Sequence, residues 1–405
     1  MKILVLAGGA DQIALIKELK SRGHVVILVD YFDNPPAKSY ADKHIVASTL
    51  DVDAVYDIAV KEHVDLVCTA CTDQALLTVA FISEKLGLPC YLSYQTGLNV
   101  TNKAYMKRVL CENKIPTAKY VVTGKADLSA IEGFRFPLVV KPVDCNSSKG
   151  VKKVATEKDL IIALNEAICY SRTKTAIIEE YKSGIEISAD YYIERGKAKY
   201  LSATASLKIR SKDCFTIICS DYPAIDEEQE KRITQIAQQI SQVFNLDDCP
   251  LLMQLIVNGE DINIIEFSAR MGGGAKYKLI EVLSGENIMK KYVDLILGEK
   301  PSFAPQKQVN YCKMVYLYCY PGKFDHVEGF EELKSQGYID EYFLYKTKGM
   351  RIDKAKTSGD RPAGYLVTAD NKEDMKSKIS HIDETLKVIS SDSIDIMMHG
   401  LIEIQ

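Results

Sequence analysis

Between Leu252 and Gly274 the chain sets polar residues inside two apolar, β-branched runs, Leu252–Val257 and Ile262–Arg270. The Asn258-Gly259 turn signal between them predicts a hairpin. Alternation puts Glu266, Ser268 and Arg270 on one face of its second strand. Gln254 joins that face, opposite Glu266, if the hairpin is centred on Glu260 with an odd-length loop. One carboxylate, two neutral oxygens and a guanidinium would then face a common cleft. A hard cation such as Mg²⁺ takes oxygen ligands of this kind and fills its shell with water and phosphate. The arginine would face the phosphate charge. The competing reading is a strand whose polar face meets water.

Other stretches offer matching chemistry. Lys103 falls in the first turn of a helix that Thr101-Asn102 would cap, where a cation opposes the helix dipole and a ligand anion would explain it. Lys141 closes the apolar strand Phe136–Pro142. The loop Asp144–Val151, with Ser147, Ser148 and Gly150, could turn backbone N–H groups onto phosphates and close as a lid, or be a solvated turn. It lacks the G-x-x-x-x-G-K-[ST] pattern. Glu179, Glu180, Tyr181 and Lys182 end a strand at a hinge, Ser183-Gly184, before a second strand that holds Glu186. Backbone groups at such a hinge can read a nucleobase edge. Lys208 and Arg210 share one strand face, which suits a substrate carboxylate or water.

Composition narrows the classes. The 405 residues are 47% hydrophobic and 26% charged, ordinary for a globular protein of two to four domains. A net charge of −4 without a basic block argues against nucleic acid and anionic membrane as partners. No apolar run approaches the ~20 residues of a membrane span, and Asp11 with the amphipathic stretch after it argues against a signal peptide. The 11 cysteines are scattered and odd in number, so reduced cytoplasmic thiols are expected. Cys68 and Cys71 form a C-x-x-C pair with no second pair and no nearby histidine. The six histidines do not cluster.

The elements that must position these residues fall into three stretches. Residues 1–95 alternate strands (Lys2–Ala7, Val25–Asp30, His44–Ala47, Leu66–Ala70, Cys90–Leu92) with helices (Asp11–Arg22, Asp51–Glu62, Asp73–Lys85), which predicts a doubly wound parallel sheet. Such a sheet binds ligands at its strands' carboxyl ends, so Gly8, Gly9, Thr72 and Asp73 are substrate candidates. Gly8-Gly9-Ala10-Asp11-Gln12-Ile13 lacks the third glycine of a dinucleotide fingerprint. Residues 96–300 form a second unit, with a lid subdomain at about 118–190. Residues 301–405 read as a small α+β domain with no constellation tied to chemistry.

In order and spacing, Lys103, Lys141, the serine-rich loop, Glu179-Glu180-Tyr181-Lys182-x-Gly184-x-Glu186, Gln254 and Glu266-x-Ser268-x-Arg270 resemble the ATP-grasp superfamily. The N-terminal part resembles the pre-ATP-grasp domain of the purine-ligase and biotin-carboxylase branch. The resemblance implies an α/β and α+β architecture: a Rossmann-like pre-ATP-grasp domain, an ATP-grasp domain with its lid, and a C-terminal α+β domain. It implies that Lys103 and Lys141 hold ATP phosphates, with Ser147, Ser148 and Gly150 in the lid. Glu179, Glu180, Tyr181 and Lys182 would line the adenine hinge, and Glu186 would take the ribose hydroxyls. Gln254, Glu266 and Ser268 would bind Mg²⁺, or Mn²⁺ in its place. Arg270 and Lys141 would be catalytic, stabilising the transferring phosphoryl group. Lys208 or Arg210 would orient the acid. Ser268 departs from the usual Glu-x-Asn, so the protein supplies one formal negative charge to the metal and ATP must supply the rest. The implied reaction is that of a carboxylate–amine ligase: a carboxylate takes the γ-phosphate of ATP, giving an acyl phosphate and ADP, and an amine displaces phosphate. A bicarbonate-dependent carboxylase and a nucleotide-binding module without turnover are the alternatives. Relatives are often homodimers; the acid, the amine and the oligomeric state are open.

Overall fold

The structure is a computed structural model describing residues 1–145, 150–209, 216–355 and 357–402. Ser147, Ser148 and Arg210 lie outside the described residues. The N-terminal unit runs β1 (Lys2–Leu6), α1 (Ala10–Ser21), β2 (Val25–Asp30), β3 (Lys43–Val46), α2 (Val52–Glu62), β4 (Leu66–Cys68) and α3 (Asp73–Leu86). Its four strands are all parallel, in the order β3-β2-β1-β4. Continuous apolar strands such as Ile3–Leu6 fit a sheet covered on both faces, and these residues are fully buried. Asp51 caps α2 through the Ala54 N–H, and Gly87 ends α3 in the left-handed conformation. The strand expected at Cys90–Leu92 does not form. That segment leaves the sheet instead, and its Tyr91 hydroxyl donates to the Ala269 carbonyl at 3.1 Å, tying the first unit to the second.

Two helices follow, α4 (Tyr94–Thr101) and α5 (Lys103–Glu112), the latter capped by Asn102. A four-stranded antiparallel sheet comes next. It comprises β5 (Tyr120–Thr123), β6 (Leu138–Pro142), β7 (Lys152–Val154) and, after helix α6 (Glu157–Tyr170), β8 (Ala176–Glu180), in the order β5-β8-β6-β7.

The largest layer is an eight-stranded antiparallel sheet. It gathers β9 (Ile185–Glu194), β10 (Lys197–Lys208), β11 (Ile217–Tyr222), then, beyond helix α7 (Glu227–Val243), β12 (Cys249–Asn258) and β13 (Asp261–Ser268). Helices α8 (Lys276–Ser284) and α9 (Ile288–Ile296) follow, and α9 packs on α1, where Arg22 meets Asp294 at 2.6 Å. The sheet then continues through residues after 300. It takes β14 (Tyr311–Tyr316), skips β15 (Gly322–Glu328) and helix α10 (Phe330–Ser335), takes β16 (Glu341–Leu344), skips β17 (Arg351–Ile352), and takes β18 (Ala363–Ala369). Helix α11 (Lys372–Thr385) and β19 (Lys387–Ser390) close the chain, with β19 pairing β15 in a small separate sheet. Because β11 pairs with β14, the C-terminal residues extend the sheet that carries the site rather than hanging from a linker.

The hairpin β12–β13 has Gln254 opposite Glu266, but by a different route from the one expected. Asn258 pairs with Asp261, so the loop is even, Gly259-Glu260. A β-bulge then leaves Ile265 unpaired between Gln254↔Glu266 and Leu255↔Ile264. One extra residue shifts the register by one, which is what an odd loop would have done.

Candidate functional site

The parallel sheet, the four-stranded antiparallel sheet and the eight-stranded sheet all contribute to one cleft of about 1910 Å³. Its floor is the polar face of β12–β13. Gln254 and Glu266 line it side by side, and Lys103, the first residue of α5, reaches over them. Lys103 Nζ lies 3.2 Å from the Glu266 carboxylate and donates to the Cys145 carbonyl at 2.9 Å. The cation at this helix start is therefore answered first by Glu266, inside the protein. Burial alone would lower its pKa; Glu266 and Asp73 outweigh that and hold it raised.

Glu179 does not present its carboxylate to the hinge. It is buried between two lysines, 3.1 Å from Lys107 and 2.9 Å from Lys141. Burial pushes its carboxyl up, but the two ammonium groups outweigh burial and hold it below the usual range. Lys107, 1% exposed, also donates to the Ile264 carbonyl at 3.1 Å and to the Thr117 hydroxyl. The Lys141 ammonium is thus fixed through Glu179 and Lys107 to the floor hairpin.

Arg270 and Asp73 meet as a two-point pair. Nε donates to Oδ1 at 2.5 Å and Nη2 to Oδ2. Asp73 is therefore turned to a side chain of this chain, not presented as a free substrate ligand. Burial would lower the Arg270 pKa, but Asp73 more than offsets it. The Ser268 hydroxyl also donates to Asp73, which leaves the oxygen's lone pairs unused by that bond. Lys208 and Glu186, expected to serve acid and ribose separately, are paired with each other.

The remaining candidates divide. Gly9 and Thr72 line the cleft. Gly8 is packed away from it: its N–H donates to Asp30 at 2.7 Å, and a Cβ would stand 2.6 Å from Pro35. Gly150, with φ +74°, packs against Pro142 and Tyr170, where a Cβ would be 2.9 Å from each. Glu180, Tyr181, Lys182 and Gly184 line the cleft as the link from β8 to β9. Here the Tyr181 N–H donates to the Pro137 carbonyl at 3.1 Å, and Lys153 sits 3.5 Å over the Tyr181 ring.

The donor set fits a hard divalent ion bound together with phosphates. Glu266 and Gln254 give one carboxylate and one amide oxygen in register on adjacent strands, facing the cleft. Among the described residues no group of three His, Cys, Asp or Glu side chains could hold a metal alone. A phosphate-borne ion needs only a partial protein shell.

Several site residues carried no recognised motif. Lys107 lies one helical turn after Lys103, the i,i+4 spacing that puts both on one face. Lys276 follows the Gly272-Gly273-Gly274 run and is buried with Asp190 at 3.2 Å and Thr204 at 2.8 Å. Asp11 accepts the N–H groups of Gly274 at 3.0 Å and Ala275 at 2.8 Å. Arg361, from the C-terminal part, lines the same cleft.

Residues 134–278 match the family described as the ATP-grasp domain, and residues 315–390 match L-amino acid ligase C-terminal domain 2. A formate-dependent phosphoribosylglycinamide formyltransferase of Sulfurisphaera tokodaii is 24% identical over 280 residues, 66% of this chain and 70% of that protein. A phosphoribosylamine–glycine ligase of Thermococcus kodakarensis is 24% identical over 307 residues, 70% of each. The crystal structure of an L-amino acid ligase from Bacillus licheniformis superposes with a TM-score of 0.81 at 22% identity, covering 96% of this chain and 98% of that one, which establishes the shared fold. No described helix is long and apolar enough to cross a membrane. By its matched segments and its fold, this chain carries an ATP-grasp domain over residues 134–278, followed over residues 315–390 by an L-amino acid ligase C-terminal domain 2.

Proposed function

We propose that this chain is an ATP-dependent carboxylate–amine ligase that joins amino acids, forming an amide and releasing ADP and phosphate. One observation carries the reading: Lys103, Lys141 and Arg270 converge on one cleft, each fixed by a carboxylate of this chain. Cations set in advance where phosphoryl charge develops are what this chemistry requires, and no protein nucleophile is needed. Lys103 and Lys141 hold the nucleotide phosphates, and the link at Tyr181–Gly184 offers backbone groups to the base. Arg270, oriented by Asp73, faces the transferring phosphoryl group and the acyl phosphate. Glu266 and Gln254 would hold a Mg²⁺, which when bound neutralises phosphate charge. The amino-acid class rests on the match of residues 315–390 to an L-amino acid ligase domain.

The test is ADP release from Mg-ATP with amino acids offered singly and in pairs, with and without bicarbonate. Release that requires two amino acids, with a dipeptide found by mass spectrometry, is the expected result. Release that requires bicarbonate instead would make the chain a carboxylase. ATP binding without release from any mixture would make it a binding module.

A further inference from the structure

Arg361 lies deep in the C-terminal wall of the cleft, 8% exposed, and no carboxylate stands within ion-pair distance of it among the described residues. Its guanidinium lies 3.7 Å from the Tyr316 ring. Nε donates to the Tyr318 hydroxyl at 2.9 Å and Nη2 to the Ile217 carbonyl at 3.2 Å. Nη1 has no hydrogen-bond partner among the described residues and points toward Gly274, where a Cβ would stand 2.9 Å from it. A buried guanidinium costs much free energy unless something anionic meets it. The Tyr345 hydroxyl, on the same wall, is buried and lacks a hydrogen-bond partner. Two donors without a hydrogen-bond partner among the described residues thus stand on one wall of the cleft, within each other's electrostatic reach.

The opposing group is Asp11. Its carboxylate is held by the Gly274 and Ala275 N–H groups and lies within the fields of both Arg361 and Arg270. An anion site beside an anchored carboxylate suits a zwitterion: its negative end on Arg361, its amino group toward Asp11 and thus toward the Arg270 side of the cleft. One guanidinium facing one carboxylate suits a monoanion better than a phosphate dianion.

We propose that Arg361, with the Tyr345 hydroxyl, binds the free carboxylate of the amine-donating substrate, so that the second substrate is an α-amino acid and the C-terminal domain selects it. This rests on the ligase reading above and adds a residue-level assignment to it. The experiment separates the two. Hydroxylamine replaces the amine and traps the acyl phosphate as a hydroxamate, so it reports the first half-reaction alone. The second half-reaction is followed with an amino acid, its carboxamide, and the matching aminophosphonate as acceptors, in wild type, Arg361→Met and Tyr345→Phe.

In wild type the free acid is expected to have a KM about ten- to a hundredfold below that of the carboxamide. In Arg361→Met that preference disappears while hydroxamate formation stays within about twofold. Tyr345→Phe removes a single oxygen, leaves the packing, and raises the acceptor KM by a few-fold with kcat retained. Normal hydroxamate formation together with an unchanged acceptor KM in both variants overturns the assignment and leaves the ligase reading standing. A lower KM for the aminophosphonate than for the amino acid overturns the carboxylate as the bound group. If Arg361→Met fails to fold, Tyr345→Phe decides alone. Absence of hydroxamate with every acid tested in wild type overturns the ligase reading and this assignment with it.

Discussion

The two ends of the cleft treat charge in opposite ways. At the ATP-grasp end Lys103 rests on Glu266, Lys141 on Glu179, and Arg270 on Asp73. At the C-terminal end Arg361 leans on an aromatic ring and a phenol, and its Nη1, beside Gly274, has no hydrogen-bond partner among the described residues. A polyanion such as a nucleoside triphosphate must be met by cations whose positions are already set, and internal carboxylates set them at the cost of some net charge. A small variable substrate is better met by donors that stay unsatisfied until it arrives, because binding then discriminates between ligands that do and do not satisfy them. On the proposed function, the paired end serves position and the unpaired end serves choice.

The paired end is where substitution does most damage. Arg270→Ala removes the cation proposed to meet the developing charge and frees Asp73; ADP release should fall by about 10²- to 10³-fold, measured in steady state on protein whose fold is checked by circular dichroism. Glu179→Gln leaves Lys107 and Lys141 buried side by side without their anion, and should destabilise the protein by about 3–5 kcal/mol in denaturant unfolding. The double variant Glu179→Gln, Lys107→Met removes one of those cations and should recover part of that loss, giving a coupling energy that independent surface sites would not show.

Acid provides a third way to probe the comparison. The Glu179 pKa is depressed in the folded state, so its stabilising share is full above the ordinary glutamate value of about 4.3 and lost as pH falls through the lower folded value. The gap in Tm between wild type and Glu179→Gln should therefore narrow on acidification. Asp11 carries the opposite sign: burial raises its pKa despite the Ala275 and Gly274 N–H groups, so its share weighs against folding at neutral pH and eases as pH falls through the raised value. Asp11→Asn should gain in relative stability at neutral pH, and that gain should shrink in acid.

The smallest effect concerns the proposed metal donors, Glu266 and Gln254. Glu266 is already shared with Lys103, so Mg²⁺ alone should leave Tm unchanged within a degree or so, whereas Mg-ATP raises it in a concentration-dependent way. A large shift with Mg²⁺ alone would mean that the protein's donors suffice without phosphate.

Much of this was readable along the chain. Alternating polar residues in Ile262–Arg270 and the Asn102 cap before Lys103 are local features, decided within a few residues by side-chain period and capping. They located the floor of the cleft and most of the cations around it. What they did not give were the partners. Glu186 and Lys208 looked like two ligands of two substrates until the sheet placed β9 beside β10 and joined them. Lys107 and Arg361 belonged to no motif, because what marks them is burial.

The sequence by itself determined most of the strands, the cap before Lys103 and the order of the motifs; the strand expected at Cys90–Leu92 and the hairpin's loop were decided otherwise. The tertiary structure alone decided which charges neutralise one another and which are left for a ligand. Asp73 and Arg270 are 197 residues apart, and Arg361 joins the cleft only because β11 pairs with β14 and carries the C-terminal residues onto the same sheet. Period and propensity act over a turn or two of chain, whereas a charge takes as partner whatever the packed fold brings within a few ångströms.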